Sequence, residues 1–508
     1  MIHTFIAKWS VRVLIVGVII SVSAFSQTSR EAPSPQTNTW TGAHKFTGPV
    51  TLSRLNDIFL VDGVTYLSIQ DADMACGSHY CEIWYSNSSG MTIPATKLGA
   101  NHILRFIQGG VYSLTGTLTM SSSSALIGPP TGMGKGQILL READGANLQS
   151  LIHVAGNEVA IRDLIVDGNK ENNPSASDGI LVDNADHLQL IFTKLQNFKR
   201  HGLYVFSNQN NSHSGIILGG SSQLNGGDGV FCERTADWYA TNSDFDNNAS
   251  YGMELSDCPA WRITANDFGG ASGSSGGLYL HGTAASSMGS MEEVITANQF
   301  GNMAGNGIYI VGHDGVTPVS IGNNIVGNSF IGSGRLGADN TYDHIKMVDG
   351  GGNIIVGNMF TSSRRPNRFK YAIEASETTA GRALHNAISD NTFPATWGGS
   401  FGTGFVSDRI ANDAGMSVDG VSYIRGVAGC TTAASAGATC ITKIIWPIAF
   451  ADANYTPICS GELVSSGVPL NGGITAKTES SVSFQTVAGT AAVARFTAIN
   501  CTAVRDQL

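Results

Sequence analysis

Apolar and polar side chains alternate in short runs through the middle of the chain, and most runs open on glycine: GILV at 179, GLYV at 202, GVFC at 229, GMEL at 252, GLYL at 277 and GIYI at 307. HIKM at 344 and AIEA at 372 hold the same place with glycine replaced. Alternation with period two is that of a strand with one face buried. A second phrase sets Asn or Asp beside Phe: QNF ending at Phe198, SDF at Phe245, NDF at Phe268, NQF at Phe300, NSF at Phe330, NMF at Phe360 and NTF at Phe393. Successive strand phrases begin 23, 27, 23, 25, 30, 37 and 28 residues apart. Two or three short strands per period of that length mark a solenoid, whereas a propeller blade needs ~40 residues. The pattern predicts an all-β chain built as a right-handed parallel β-helix, each coil adding a rung to a parallel sheet and burying its neighbour's apolar side. In the second phrase Asn suits a tight left-handed turn and can hydrogen-bond to the same Asn one coil away, while Phe stacks inside.

Strand alternation also says which residues face out. In GIYI the isoleucines face in and Tyr309 faces out; the same register gives the outward column Leu181, Tyr204, Phe231, Glu254, Tyr279, Tyr309, Lys346, Glu374. Two residues further along each strand lie Asp183, Phe206, Glu233, Ser256, His281 and Val311. Four aromatics in the first column, Tyr204, Phe231, Tyr279 and Tyr309, form a candidate platform for sugar rings, with Asp183 and Lys346 as polar contacts. Glu233 and Glu254 sit on adjacent rungs, offset by two residues, which puts their Cα atoms ~8 Å apart. Their carboxyls can reach either glycosidase separation, with His281 beside them as acid or base. Asp343, His344 and Lys346, with Arg364 and Arg365 near in sequence, form a second cluster suited to removing the C5 proton of a uronate.

The flanks differ from the repeat. Lys8 and Arg12 precede an apolar run from Val13 to Val22, followed by Ala24 and Ser26 at −3 and −1 of a cut before Gln27. This predicts a signal peptide over 1–26, no membrane span after its removal, a secreted product and a linker over 27–54. The β-helix is expected over 55–425, with a cap about 61–90 in which Ser68 N-caps a short helix covering the solenoid's end. From about 428 the repeat phrases stop, and ITKIIWPIAF, GITAKTESSVSFQT and ARFTAINC read as antiparallel strands of a small β-sandwich over 428–508. The eight cysteines read as disulfide candidates, with Cys76 close to Cys81, Cys232 and Cys258 a remaining pair, and four in the last eighty residues. No C-x-x-C pair or His cluster favours a metal.

A net charge of −10, pI near 5.6 and no basic stripe exclude a nucleic-acid partner. No cofactor is expected, although DGN at 167 and the region Asp178–Asp183 leave room for a calcium ion. GPPTGMGKG lacks the Gly-Lys-Ser/Thr ending of a phosphate loop and reads as a turn.

The order of cap, strand near EIWYSN, GGVYSL and coils resembles the pectate lyase superfamily, over roughly residues 55 to 400. The resemblance implies the fold and a polysaccharide partner, but that superfamily holds lyases, hydrolases, epimerases, tailspikes and inactive binders. SDGI at 177, RHG at 200 and HIK at 344 are only fragments of the polygalacturonase motifs, and the D-P-H signature of alginate epimerases is missing. FADANYT followed by KTESSVSFQT is similar to the β-sandwiches of phage tail fibres and H-type lectins. Modules of that kind often bind sugar or trimerise, which makes this segment the place to look for a homotrimer. The expected function is binding and cleavage of a polysaccharide, by glycosidase or lyase chemistry, with catalytic residues Glu233, Glu254 and His281. The alternative is a non-catalytic adhesin or tailspike-like binder.

Overall fold

The computed structural model describes residues 58–86, 92–129, 138–175, 177–208, 214–270, 273–283, 289–312, 320–338, 341–361, 369–376 and 386–392, and beyond these only strands between 410 and 505. The expected signal peptide and linker, most of GPPTGMGKG, Arg364, Arg365 and Phe393 lie outside the described residues.

Each coil contributes one strand in turn to three parallel sheets. The sheet that carries the glycine-led phrase has twelve strands, from Thr96–Leu98 to Ile410–Asn412. The phrases pair in the register expected from the alternation: Leu181 opposes Tyr204, then Phe231, Glu254, Tyr279, Tyr309, Lys346 and Glu374 in an unbroken column. Their neighbours Val205, Leu255, Ile308 and Ile310 are fully buried in the core between the sheets. The leading glycine is dictated by the distance between coils. A Cβ at Gly179, Gly229 or Gly307 would stand 2.4–2.5 Å from the carbonyl oxygen of the next coil.

The Asn-x-Phe phrase builds the opposite wall. Phe245, Phe268, Phe300, Phe330 and Phe360 stack at 4.8–5.3 Å, all buried. Beside them Asn266, Asn298, Asn328, Asn358 and Asn391 form a file in which each Nδ2 donates to the next Oδ1 at 3.0–3.1 Å. Each Nδ2 also donates to a carbonyl of the preceding coil at 2.8–2.9 Å, so from Asn266 to Asn358 both amide protons are used in a buried setting. Phe198 departs from the expectation. It is buried, but it lies beyond its strand Lys194–Gln196, where Leu195 holds the stacking position and pairs with Ser222. The phrase there is out of step because Phe198 fills the next corner.

At the N-terminal end the helix Ile69–Cys76 starts at Ser68, whose Oγ accepts from Asp71 N at 3.1 Å. It buries Ile69, Ala72, Asp73 and Cys76 against the first rungs. Disulfides join Cys76 to Cys81 and Cys232 to Cys258. At the other end parallel pairing gives way at Met416–Val418, which pairs antiparallel with the start of Val421–Thr431. That strand and Tyr455–Leu463 flank Phe496–Arg505, while Ser481–Val487 lies between Thr439–Ile445 and Gly472–Thr478, all antiparallel. Among the described residues no helix is long and apolar enough to cross a membrane.

Candidate functional site

The outward face of the glycine-led sheet gathers most of the candidate residues. Strand twist turns one diagonal of this face into contacts: a first-column residue meets the second-column residue of the following coil. Three pairs repeat this geometry. His153 Nε2 lies 3.7 Å from Asp183 Oδ2, Tyr204 Oη donates to Glu233 Oε2 at 2.8 Å, and His281 Nε2 lies 3.0 Å from Glu254 Oε1.

Glu233 and Glu254 lie on the other diagonal, because Glu233 pairs with Ser256 and Glu254 with Phe231. They therefore lean apart, Glu233 toward Tyr204 on the coil before and Glu254 toward His281 on the coil after. Both oxygens of Glu233 accept hydrogen bonds, the second from Arg234 Nη2 at 2.7 Å. Glu254 keeps Oε2 open, and its side chain is 18% exposed, as is that of His281.

The aromatics form two groups rather than one flat platform. His201 stacks on Phe231 at 4.8 Å, with Tyr204 tilted at 5.2 Å from the same ring. Tyr279 stacks on Tyr251 at 4.8 Å, on His281 at 4.3 Å and on Tyr309 at 5.1 Å. Between the groups the column holds one carboxylate, Glu254. Because ring faces are spent on one another, the surface offers ring edges, phenol hydroxyls and the stack ends beside Glu254. Burial, with nearby Tyr309 and Glu254, pushes the Tyr279 phenol up to about 12; burial likewise raises Tyr251 and Tyr309. These hydroxyls stay protonated donors at ordinary pH.

Asp183 and Lys346 stand apart, each three rungs or ~14 Å from Glu254. Asp183 also accepts from Asn184 Nδ2 at 2.6 Å. Lys346 lies over Tyr309 at 5.8 Å from the ring centre and 3.9 Å from Glu374. The second cluster is corrected. His344 is fully buried between Phe330, Phe360 and Phe369, with Nδ1 2.9 Å from Ser333 Oγ, and burial lowers its pKa to about 3. It is a neutral core residue and cannot reach a ligand. Asp343 is also buried; burial and the neighbouring Glu374 raise its pKa well above the usual carboxylate range. For Glu374 burial acts upward but is outweighed by hydrogen bonds from Asp343 and Lys370, and its pKa is lowered. Asp343 Oδ2 and Glu374 Oε2 are both buried without a hydrogen-bond donor among the described residues.

Sequence reading gave no role on this sheet to His201, Asp228, Tyr251 and Asp178; the structure leaves His201 and Tyr251 half-buried and Asp178 and Asp228 buried. The signal was present: each immediately precedes the repeat glycine, so they form a column of their own. Arg200 Nε donates to Asp178 Oδ1 at 2.8 Å, and His201 Nδ1 lies 3.0 Å from Asp228 Oδ2. Over residues 178–376 the described cations of this face stand near carboxylates: Arg200, Arg234 and Lys370 hydrogen-bond to Asp178, Glu233 and Glu374, and Lys346 lies 3.9 Å from that same Glu374 without a hydrogen bond to it. Asp167 accepts from Asn169 N at 2.8 Å, Gln196 Nε2 at 2.6 Å and Asn197 Nδ2 at 3.0 Å, so amides already satisfy its carboxylate.

In comparison with known proteins, the right handed beta helix region family matches residues 150–330. No curated protein matches the chain. Among solved structures, the Dettilon tailspike protein (gp208) is 13% identical with a TM-score of 0.48, over 89% of this chain and 95% of that one. The enzymatically active domain of bacteriophage CBA120 tailspike protein 2 is 14% identical with a TM-score of 0.48, over 78% and 68%. The A-module of the Azotobacter vinelandii mannuronan C-5 epimerase AlgE6 is 13% identical with a TM-score of 0.42, over 64% and 93%. The family match spans the coils from His153 to Tyr309 that carry Glu233, Glu254 and His281, and with the observed pairing it identifies the chain as a right-handed parallel β-solenoid.

Proposed function

We propose that this outward face binds a neutral polysaccharide and hydrolyses it at Glu254. The observation that carries the reading is the break in the aromatic column. Glu254, hydrogen-bonded to His281, is the carboxylate between two ring groups, so sugars seated on the stack ends bring a glycosidic bond to its open oxygen. Hydroxyl-rich, uncharged rings suit phenol donors and carboxylate acceptors. A uronate needs an uncommitted cation for its carboxylate; Arg200, Arg234 and Lys370 are hydrogen-bonded to carboxylates, and Lys346, the least committed, stands three rungs from Glu254.

In this reading Glu254 is the acid, exchanging its proton with His281, and Glu233 is the base that activates water. Since the two carboxyls lean apart from Cα atoms ~8 Å distant, the wider spacing of an inverting enzyme, about 6.5–9.5 Å, fits better than the ~5–5.5 Å of a retaining one.

The test is incubation of the protein with neutral and uronate polysaccharides, following reducing ends and the ultraviolet absorbance of unsaturated products. Reducing ends from a neutral polymer, without new absorbance, are expected, with the inverted anomer formed first by NMR. Glu254→Gln should lower cleavage by about 10²–10⁴-fold while leaving binding intact. Full activity in that variant would remove Glu254 from the mechanism, and new absorbance would move the chemistry to elimination. The second reading, a non-catalytic binder, keeps the same groove; it gains if polymer binds and both signals stay silent.

A further inference from the structure

The N-terminal cap holds a cluster unrelated to the groove. Cys76 ends the cap helix, Cys81 opens the strand Cys81–Tyr85, and His102 opens the strand His102–Phe106 directly opposite, Cys81 and His102 being paired residues. Ligand atoms of Cys76, Cys81 and His102 all lie within 4.8 Å of one another. All three residues are buried, at 5%, 1% and 1% exposure.

The imidazole is oriented from behind. Asp73 Oδ1 accepts the Gly99 N–H at 2.8 Å and lies 2.6 Å from His102 Nδ1. A carboxylate oxygen there places the imidazole proton on Nδ1 and leaves the Nε2 lone pair bare. Nε2 has no hydrogen-bond partner, although it is buried. The ring lies so close to Gly99 that a Cβ there would stand 2.5 Å from it, so the ring has little room to turn away. A carboxylate behind the histidine, a bare ring nitrogen and two sulfurs within 4.8 Å of a ring nitrogen make the arrangement that supports a metal-ligating imidazole.

We propose that, once the Cys76–Cys81 disulfide is reduced, Cys76 Sγ, Cys81 Sγ and His102 Nε2 bind one soft closed-shell metal ion, Zn(II) or Cu(I). Two thiolates and an imidazole are the donor set such ions favour. The steps balance. A dithiol reductant gives two electrons to the S–S bond, leaving two thiols on the protein and a disulfide on the reductant. Each thiol then loses its proton to solvent as its sulfur bonds the metal, so two protons leave per ion. Oxidised, the same sulfurs have no thiolate and the disulfide fastens the helix to the first rung. Reduced, the ion makes that link and adds the next rung through His102. The cap thus stays closed in either redox state, and only the metal-bound state gives Nε2 a partner.

The experiment uses the full chain, reduced with a phosphine and titrated with Co(II) as probe. Thiolate-to-cobalt charge-transfer and d–d bands are expected in the reduced protein, displaced by Zn(II) or Cu(I), and none in the oxidised protein. The order of displacement says which of the two ions is held. The Cys76→Ser/Cys81→Ser double variant should lose the bands; His102→Gln should keep thiolate bands, alter the d–d bands and bind at least about 10-fold more weakly. Asp73→Asn should weaken binding by about 10–100-fold. Peptide mapping needs no variant and covers any that fail to fold: Zn(II) should shield Cys76 and Cys81 of the reduced wild type from alkylation. Unshielded Cys76 and Cys81, unchanged bands in the double variant, or a His102→Gln spectrum identical to wild type would each overturn the site.

Discussion

His344 stands where the six preceding coils have glycine, and its side chain turns into the core among three phenylalanine rings. Burial lowers its pKa to about 3 from an ordinary 6.5, so the folded state holds it neutral while the unfolded chain protonates it. A depressed pKa of this kind contributes stability that is present above ~6.5 and is lost as pH falls toward 3. The difference is on the order of 3 kcal/mol at pH 4. Unfolding midpoints in urea should therefore drop between pH 7 and pH 4 in the wild type, and His344→Gln should flatten that slope. Equal slopes would mean that acid sensitivity resides elsewhere. HIKM was legible as a rung with glycine replaced, but not that its first residue points inward. The alternation that fixes strand faces does not extend to the corner preceding the strand.

At the scale of the strand and its neighbours, the asparagine file is the part of the fold that sequence states most directly. Asn298 donates to Asn328 Oδ1 at 3.0 Å and to Ile263 O at 2.8 Å, and accepts from Asn266 at Nδ2 and at N, at 3.1 and 2.9 Å. Asn298→Ala would strip partners from groups on both adjacent coils, all buried. A cost of about 1–3 kcal/mol is expected, the penalty of unsatisfied buried groups. Calorimetry comparing it with the exposed Gln299→Ala would check this; equal effects would mean that the file contributes nothing special. Such files could be read from sequence because a solenoid repeats one local choice at every coil. The columns of Tyr204 and of Glu233 were legible for the same reason. Their side-chain pairing was not: which of two diagonals closes depends on strand twist, and this separates Glu233 from Glu254 while joining Glu254 to His281. The cap cluster was hidden for a different reason. His102 comes 21 residues after Cys81, and only the stacking of the first two rungs brings them side by side.

Across the whole molecule, the charge of −10 and the ion pairs of the outward face act in the same direction. Asp178 and Glu233 pair with Arg200 and Arg234, and Glu374 is shared by Lys370 and the more distant Lys346, while Glu254 on this face stands beside a histidine rather than a cation. A polyanion approaching this face meets net repulsion, because Asp183 and Glu254 have only histidines as ion-pair partners among the described residues, and the repulsion is strongest at low salt, where screening is weakest. A neutral polymer held by phenol hydroxyls, ring edges and hydrogen bonds has no such dependence. Affinity for a neutral polysaccharide, followed by titration calorimetry on the Glu254→Gln variant so that substrate survives, should change less than about twofold between low and high salt. Polyuronates should fail to bind at low salt. Tight polyuronate binding that salt weakens steeply would show that an uncommitted cation governs the groove, and would transfer the proposed chemistry from hydrolysis at Glu254 to elimination near Lys346.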